Sequence, residues 1–270
     1  MNNQSTFVEL SKCSRIWAIG SIHSNLNSFN SIKKLILNNF KENDKLVVLG
    51  NVIGLGESSK EVITDIVALR FNLMSKFKLK SSDIVFLRGA QEEMFSKLLQ
   101  LQIAPNPMEI INWMFEHGVN KTLESYGYNK NDVINIASSG TVAISKWTSK
   151  LNRSLLKNPG HKEYFLNLKH AAYSSSKKIL FVNRGVDITR PLSAQNDCFW
   201  WGYHNFSEII EPYNSFIRIV RGYESIHKNE LEQAKNNIVC TLFKQPLPNN
   251  SIYAGIFSEN GDILDLFESD

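Results

Sequence analysis

Polar residues stand at the ends of the first three apolar segments of the sequence, where they could take part in chemistry. In the stretch IWAIGSIHSNL, Ser21 and His23 directly follow an apolar run. Asn51 follows KLVVLG in the same way, and Ala90 and Gln91 follow IVFLRG. A histidine in such a turn could bind a metal ion or a phosphate group, but a metal site would need carboxylates beside it. His23 could therefore bind a metal ion or a phosphate group only together with residues from other parts of the chain.

The apolar segments alternate with stretches of helical period through the first hundred residues. Apolar residues recur at helical spacing from Leu26 to Ile36 and from Val62 to Leu69, whereas the short runs that end in glycine are typical of buried strands. This order of strand, helix, strand, helix and strand predicts a parallel βαβαβ unit. Ligand sites of such sheets lie outside the carboxyl ends of the strands, which is where these polar residues stand.

The remainder of the chain is helical in character from about residue 105 to 168 and strand-like after that. From Tyr173 onward, polar turns separate the short apolar segments KILFVN, FIRIVRG, NIVCTLF, SIYAGIFS and ILDLF. No linker rich in Pro, Gly or Ser divides the sequence. We therefore predict a single α/β domain over residues 1–270, with a helical insert at approximately 105–168.

The three segment ends resemble the signature motifs of a known protein family. GSIHS, GNVIGLG and GAQE are similar in order and spacing to GD-x-HG, GD-x-x-DRG and GNHE of the calcineurin-like metallophosphoesterases, in the serine/threonine protein phosphatase family. Further segments resemble its bacterial members, which include diadenosine tetraphosphatases and protein phosphatases. These segments are WMFEHGVNKTLESYG, NPGHKEYFL, FVNRGVDITRPLSAQ, IVRGYES and NIVCTLF. The resemblance covers nearly the whole chain, from about residue 15 to 266.

This resemblance implies a fold and a chemistry. The implied fold is a four-layer αββα sandwich, in which two packed mixed β-sheets are flanked by helices. The implied chemistry uses two divalent metal ions, such as Mn or an Fe/Zn pair, which activate a water for attack on a phosphoryl group. The four positive charges of such a pair require carboxylate and imidazole ligands.

The metal ligands and the catalytic histidine of that family are largely replaced in this sequence. Carried over motif by motif, their positions form a remnant pocket of Ser21, His23, Asn51, Ala90, Gln91, Asn183 and Tyr223. Only His23 keeps the type of a family ligand, and the Asp-Arg pair of the second motif is Gly54-Leu55 here. We therefore expect no metal cofactor and no catalytic residue, and we expect Tyr223 to fill part of the space of the two metals.

Some of these residues also have a purely structural interpretation. His23 could be a hydrogen-bonded structural histidine. Asn51, Gln91 and Asn183 could satisfy the hydrogen bonds of one another and of the local backbone. On this interpretation the remnant pocket has no ligand at all.

Two arginines could give the remnant pocket a different role. Arg184 and Arg221 each adjoin a replaced ligand position at the end of a strand. If either side chain points inward, the pocket could bind phosphate, a nucleotide or a carboxylate without metal. If both point to solvent, this anion-binding hypothesis fails.

Composition indicates which partners to expect and which cellular compartment suits the protein. The net charge of +4 comes from scattered residues, so we do not expect nucleic-acid binding. Cys13, Cys198 and Cys240 are odd in number and far apart, which favours small core residues in a reducing cytoplasm over a disulfide framework. No apolar run is long enough for a membrane span, so we expect no membrane partner. The tryptophans expected in the core are Trp113, Trp147, Trp200 and Trp201.

The leading functional hypothesis is a catalytically inactive metallophosphoesterase, or pseudophosphatase. It would act as a binding, scaffolding or regulatory protein for a protein partner or for a phosphorylated or nucleotide ligand. The alternative is an active metal-dependent phosphoesterase with a rebuilt metal centre, of the serine/threonine phosphatase or the diadenosine tetraphosphatase type.

Overall fold

The computed structural model describes residues 6–202, 209–223, 238–243 and 251–269. The strands in these ranges are β1 (Phe7–Leu10), β2 (Ile16–Ile19), β3 (Lys45–Val48), β4 (Ile84–Phe86), β5 (Ala171–Ser174), β6 (Ile179–Val182), β7 (Arg218–Arg221), β8 (Val239–Thr241), β9 (Tyr253–Phe257) and β10 (Ile263–Glu268). The α-helices are α1 (Leu26–Asn39), α2 (Ser59–Phe77), α3 (Ala90–Leu98), α4 (Pro107–Glu116), α5 (Val119–Ser125), α6 (Lys130–Ser138), α7 (Thr141–Leu156), α8 (His161–Leu166) and α9 (Cys198–Trp201).

These strands form two mixed sheets. The first sheet has the order β1-β5-β6-β7-β8, and the second has the order β10-β9-β2-β3-β4. In the second sheet, β2, β3 and β4 run parallel, with Ile19 beside Val48 and Val48 beside Phe86. The carboxyl ends of these three strands therefore lie side by side. In the first sheet, β6, β7 and β8 are likewise parallel.

Strand β2 is apolar on both faces because each face is covered. Ile16 and Ala18 pack in the cluster between the two sheets, whereas Trp17 and Ile19 pack in the cluster that includes α1 and α2. A parallel strand covered on both sides needs an uninterrupted apolar sequence, which explains the run IWAI. A third cluster, which includes Phe199 of α9, covers the outer face of the first sheet.

The predicted fold class is confirmed, because two mixed β-sheets pack together and helices flank them. The parallel unit predicted for the first hundred residues is present as β2, α1, β3, α2 and β4. Strands β1 and β5 were not predicted. Each has only four residues, and the two form a parallel pair between distant parts of the chain that local periodicity does not reveal. Helices α4 to α8 occupy the segment predicted to be helical.

The predicted core positions are partly correct. Trp147 and Trp200 are buried as expected, but Trp113 is 42% exposed and Trp201 is only partly buried. In α4 the buried face is formed by Ile111, Met114 and Phe115, and Trp113 points away from it. Cys198 and Cys240 are buried as predicted, Cys13 is half-buried, and all three are free thiols. No helix in the described ranges has both the length and the apolar character to cross a membrane.

Candidate functional site: a remnant pocket at the strand ends

The carboxyl ends of strands from both sheets meet at one place. The Ser21 backbone N–H donates to the Gly222 carbonyl at 2.9 Å, which joins the end of β2 to the end of β7. The Asn183 side chain donates to the Leu49 carbonyl at 2.6 Å, which joins the end of β6 to the end of β3. A Cβ atom on Gly222 would lie 2.5 Å from the Leu49 Cβ, so glycine permits this close approach. The fold thus brings residues from distant motifs into contact.

Asn51 lies at the centre of the polar contacts in the remnant pocket. Its Nδ2 donates to Ser21 Oγ at 3.3 Å, and its Oδ1 accepts from the Gln91 backbone N–H at 3.1 Å. Asn51 has a φ of +50°, a left-handed conformation that is uncommon outside glycine and costs free energy. The turn therefore keeps a strained shape although no carboxylate stands at this position.

The amide groups satisfy one another only in part. Gln91 Nε2 donates to the His117 carbonyl at 2.8 Å. However, the buried oxygens Gln91 Oε1 and Asn183 Oδ1 make no hydrogen bond with the described residues. Asn51 therefore fits the interpretation that the amide groups satisfy one another. The side-chain oxygens of Gln91 and Asn183 do not fit it. Buried polar atoms of this kind are uncommon in folded proteins.

His23 is enclosed by aromatic rings. Its side chain is 1% exposed, and its ring centroid lies 5.4 Å from that of Tyr223 and 6.1 Å from that of Phe243. Neither ring nitrogen makes a hydrogen bond of normal geometry with the residues described. The His23 ring is therefore held by aromatic packing rather than by a hydrogen bond of normal geometry. Tyr223 lies beside His23, and that it fills part of the space of two metals stays a prediction.

Burial controls the ionisation of His23. Loss of solvent around the ring lowers the pKa of His23 to about 4, and the nearby Ile53 backbone has a smaller, opposing effect. His23 is thus neutral at physiological pH, and both of its ring nitrogens are buried.

Gly54 of the second motif lies against the Gln91 side chain. Gly54 has a φ of +83°, and a Cβ atom there would lie 2.0 Å from Gln91 Oε1. An aspartate at position 54 would therefore clash with the Gln91 side chain in its present conformation. The neighbouring Leu55 packs on Gly118 in place of an arginine.

The other predicted positions lie apart from this polar group. Ala90 packs in the apolar cluster on the outer face of the first sheet, so it supplies no ligand atom and is not part of a polar pocket. Arg221 is 5% exposed, shares the outer face with Ile219, and donates from Nε to Thr241 Oγ1 at 2.8 Å. Arg184 is partly buried, and its guanidinium lies 5.7 Å above the Tyr223 ring. Neither arginine side chain is fully exposed, so the condition under which the anion-binding hypothesis fails is not met.

Glu92 was missed by the sequence analysis, although it is the last residue of GAQE. It is completely buried and ties the turn after β3 to the start of α3. Its donors lie at 2.7 to 3.3 Å and are the backbone N–H groups of Gly89, Asn51, Val52 and Ile53 and the hydroxyl of Tyr164. Burial raises the pKa of Glu92, and the backbone donors act in the opposite direction. Glu92 therefore holds the shape of the remnant pocket.

The donor atoms of the described residues do not fit a pair of divalent metals. In the part of the chain that the structure describes, no group of three or more His, Cys, Asp or Glu side chains is placed to hold an ion. Among the described residues, Glu92 places a carboxylate beside Asn51, and both of its oxygens accept hydrogen bonds from backbone N–H groups. Two adjacent divalent cations without anionic ligands would repel each other strongly.

Comparisons with known proteins agree with the fold. No protein-family model and no curated protein matches the sequence. A solved structure described as "a putative diadenosine tetraphosphatase" is 14% identical with a TM-score of 0.52, over 97% of this chain and 98% of that one. A point mutant of a cold-active protein tyrosine phosphatase is 10% identical with a TM-score of 0.51, over 100% of this chain and 85% of that one. The chain therefore has the calcineurin-like metallophosphoesterase fold, as its motifs predict.

Proposed function

We propose that this chain is a pseudophosphatase, which uses a phosphatase fold to bind an anionic ligand or a protein without hydrolysing a phosphoester. The observation that carries the proposal is the enclosure of the His23 ring by other side chains. The one residue that matches a family ligand is enclosed by Tyr223 and Phe243, and its nitrogens contact no charged partner among the described residues. The other matched positions hold serine, amide, methyl and phenol groups, which do not neutralise two divalent cations.

The retained geometry supports a binding role. Strained turns such as those at His23 and Asn51, with φ of +47° and +50°, persist at sites where the surrounding structure stabilises them. Arg184 brings a positive charge to the edge of the remnant pocket, where it could bind phosphate or carboxylate groups. The ligand in this proposal is therefore a phosphorylated or nucleotide molecule, or a protein that carries such a group. The free cysteines suit a cytoplasmic protein.

A turnover assay with manganese tests the catalytic part of the proposal. We expect no hydrolysis above background with nitrophenyl phosphate, a dinucleoside tetraphosphate or a phosphoserine peptide, because no described residue of the remnant pocket is placed to activate water. Gln91→Ala, which removes the side chain at the position of the catalytic histidine, should leave that background unchanged. Saturable, manganese-dependent turnover that is lost in Gln91→Ala would instead establish the alternative, an active phosphoesterase with a rebuilt centre.

A further inference from the structure

A cleft between the edges of the two sheets is lined by residues other than those of the remnant pocket. Strand β1 is the last strand at one edge of the first sheet, where it pairs with β5, and β4 is the last strand at one edge of the second, where it pairs with β3. A cavity of about 580 Å³, a volume typical of ligand sites, lies between these two strands. We call it the edge cleft, and its lining includes Val8, Arg70, Ile84, Val85 and Phe86.

Hydrogen bonds close the edge cleft at both ends. At one end, Ser11 Oγ donates to Asp83 Oδ1 at 2.8 Å, which joins the chain just after β1 to the chain just before β4. At the other end, the Lys169 N–H donates to the Phe86 carbonyl at 2.9 Å. The N–H of the next residue, His170, donates to the Thr6 carbonyl at 2.8 Å. The two strands therefore run in opposite directions along a gap that is held at each end.

The backbone of β4 presents hydrogen-bonding groups to the edge cleft. The N–H and C=O of one strand residue point to the same side, and successive residues point to opposite sides. The Leu87 N–H donates to the Val48 carbonyl in β3, whereas the Phe86 carbonyl faces away from β3. Ile84, two residues before Phe86, therefore directs its N–H and C=O into the edge cleft. Such a strand edge is a template to which another extended chain adds.

The two faces of an added strand would have different surroundings. Val8 and Val85 pack in the apolar cluster between the sheets and form the floor of the edge cleft. Ile84 and Phe86 lie on the other face of β4, where the Arg70 guanidinium of α2 lies 5.5 Å from the centroid of the Phe86 ring. Because side chains alternate along a strand, a strand beside β4 places one residue on the valines and the next beside Arg70.

Arg70 has no carboxylate partner among the described residues. Its Nη2 donates to the Ser81 carbonyl at 3.2 Å, and its guanidinium lies over the Phe86 ring. Burial lowers the pKa of Arg70. A partly buried guanidinium that is held by neutral groups gains a charge-assisted hydrogen bond when a carboxylate reaches it. Glu9 also lines the edge cleft, but its exposed side chain lies with Phe7 on the outer face of the first sheet.

We propose that the edge cleft binds an extended segment of a partner protein, which adds as a strand to β4 and places an acidic side chain beside Arg70. The segment alternates, with apolar residues toward the valine floor and an acidic residue between them. Charge complementarity with Arg70 favours such a segment over a basic one. This inference goes beyond the function proposed above, because the edge cleft does not depend on what the remnant pocket binds.

Fluorescence anisotropy with labelled pentapeptides Thr-Val-Xaa-Val-Thr, in which Xaa is Glu, Gln or Lys, tests this proposal. Wild-type protein should bind the Glu peptide at least about 10-fold more tightly than the Gln peptide, and the Lys peptide more weakly still. Two N-methylated forms of the Glu peptide, one at both valines and one at the glutamate, test strand addition. At least one form should bind about 10-fold more weakly, because alternate N–H groups of an added strand face its neighbour.

Variants of Arg70 test the charge. Arg70→Glu should reverse the preference, so that the Lys peptide binds more tightly than the Glu peptide. Arg70→Gln, which keeps a polar side chain of similar shape if the reversal prevents folding, should bind the three peptides alike. Lys76→Glu is the matched control, because it makes the same change of charge at an exposed position of α2 outside the cleft, and it should keep the wild-type preference. Each variant should keep the far-ultraviolet circular dichroism of the wild type.

Four results would overturn the proposal. They are no binding of the Glu peptide, equal affinity of the wild type for the three peptides, unchanged binding of both N-methylated forms, and a wild-type preference in Arg70→Gln. A concentration-dependent dimer in sedimentation that is lost in Arg70→Gln would also overturn it, since a second copy of the chain would then occupy the edge cleft. None of these results involves turnover, so each leaves the pseudophosphatase proposal in place.

Discussion

Replacement of Glu92 by glutamine is expected to lower the free energy of unfolding by about 3 kcal/mol. The two carboxylate oxygens accept hydrogen bonds from four backbone N–H groups and from the Tyr164 hydroxyl. A glutamine side chain keeps one oxygen and turns an NH₂ group toward these donors, which leaves buried N–H groups without an acceptor at roughly 1–3 kcal/mol each. Urea denaturation at neutral pH, followed by circular dichroism, measures the loss.

Glu163→Gln is the control for this substitution, since Glu163 is an exposed residue of α8. It should change the free energy of unfolding by no more than about 0.5 kcal/mol, as is usual for surface positions. A Glu92→Gln protein as stable as the wild type would mean that Glu92 does not hold the strand-end turns together. The persistence of those turns would then need another cause.

Acidification is expected to destabilise the protein between pH 6.5 and 4, partly through His23. The unfolded chain binds a proton on this histidine near pH 6.5, whereas burial lowers its pKa to about 4 in the folded protein. Protons therefore favour unfolding in this window, and the contribution of His23, fully present above pH 6.5, is lost as the pH falls. The loss amounts to about 3 kcal/mol by pH 4. Burial of His161, whose pKa is also lowered to about 4, acts in the same direction.

A His23→Phe variant isolates this contribution, because the new ring would pack against Tyr223 and Phe243 without a titratable group. Its free energy of unfolding should fall with pH less steeply than that of the wild type, by up to about 1.4 kcal/mol per pH unit. Phe71→Leu, which changes an exposed and uncharged position, should keep the wild-type slope. Identical slopes in His23→Phe and the wild type would show that His23 is accessible to protons in the folded protein.

The sequence was sufficient for the fold and for the placement of most candidate positions, because both depend on local patterns. Apolar runs ending in glycine predicted β2, β3 and β4, and the parallel arrangement predicted that their polar ends would meet. Ser21, Asn51 and Gln91 do contact one another through hydrogen bonds. The spacing of the motifs also predicted that the late strands end at this site. It did so although the sequence is only 14% and 10% identical to the solved structures of this fold.

The character of the pocket depended on contacts between distant parts of the chain, which local patterns do not contain. Nothing near His23 in the sequence indicates that Tyr223 and Phe243 enclose it. Ala90 matches a ligand position by motif, but its methyl group packs in an apolar cluster. The exposure of Trp113 was, by contrast, available from the sequence, because Ile111, Met114 and Phe115 define the buried face of α4 at helical spacing.

Direct titration of the purified protein with manganese tests the central claim, that this phosphatase fold has lost its metal centre. After dialysis against EDTA, calorimetry at neutral pH should show no saturable manganese binding, and metal analysis after dialysis into manganese should find no stoichiometric metal. His23→Ala should give the same result as the wild type. Two manganese ions bound per chain, with binding lost in His23→Ala, would contradict the account.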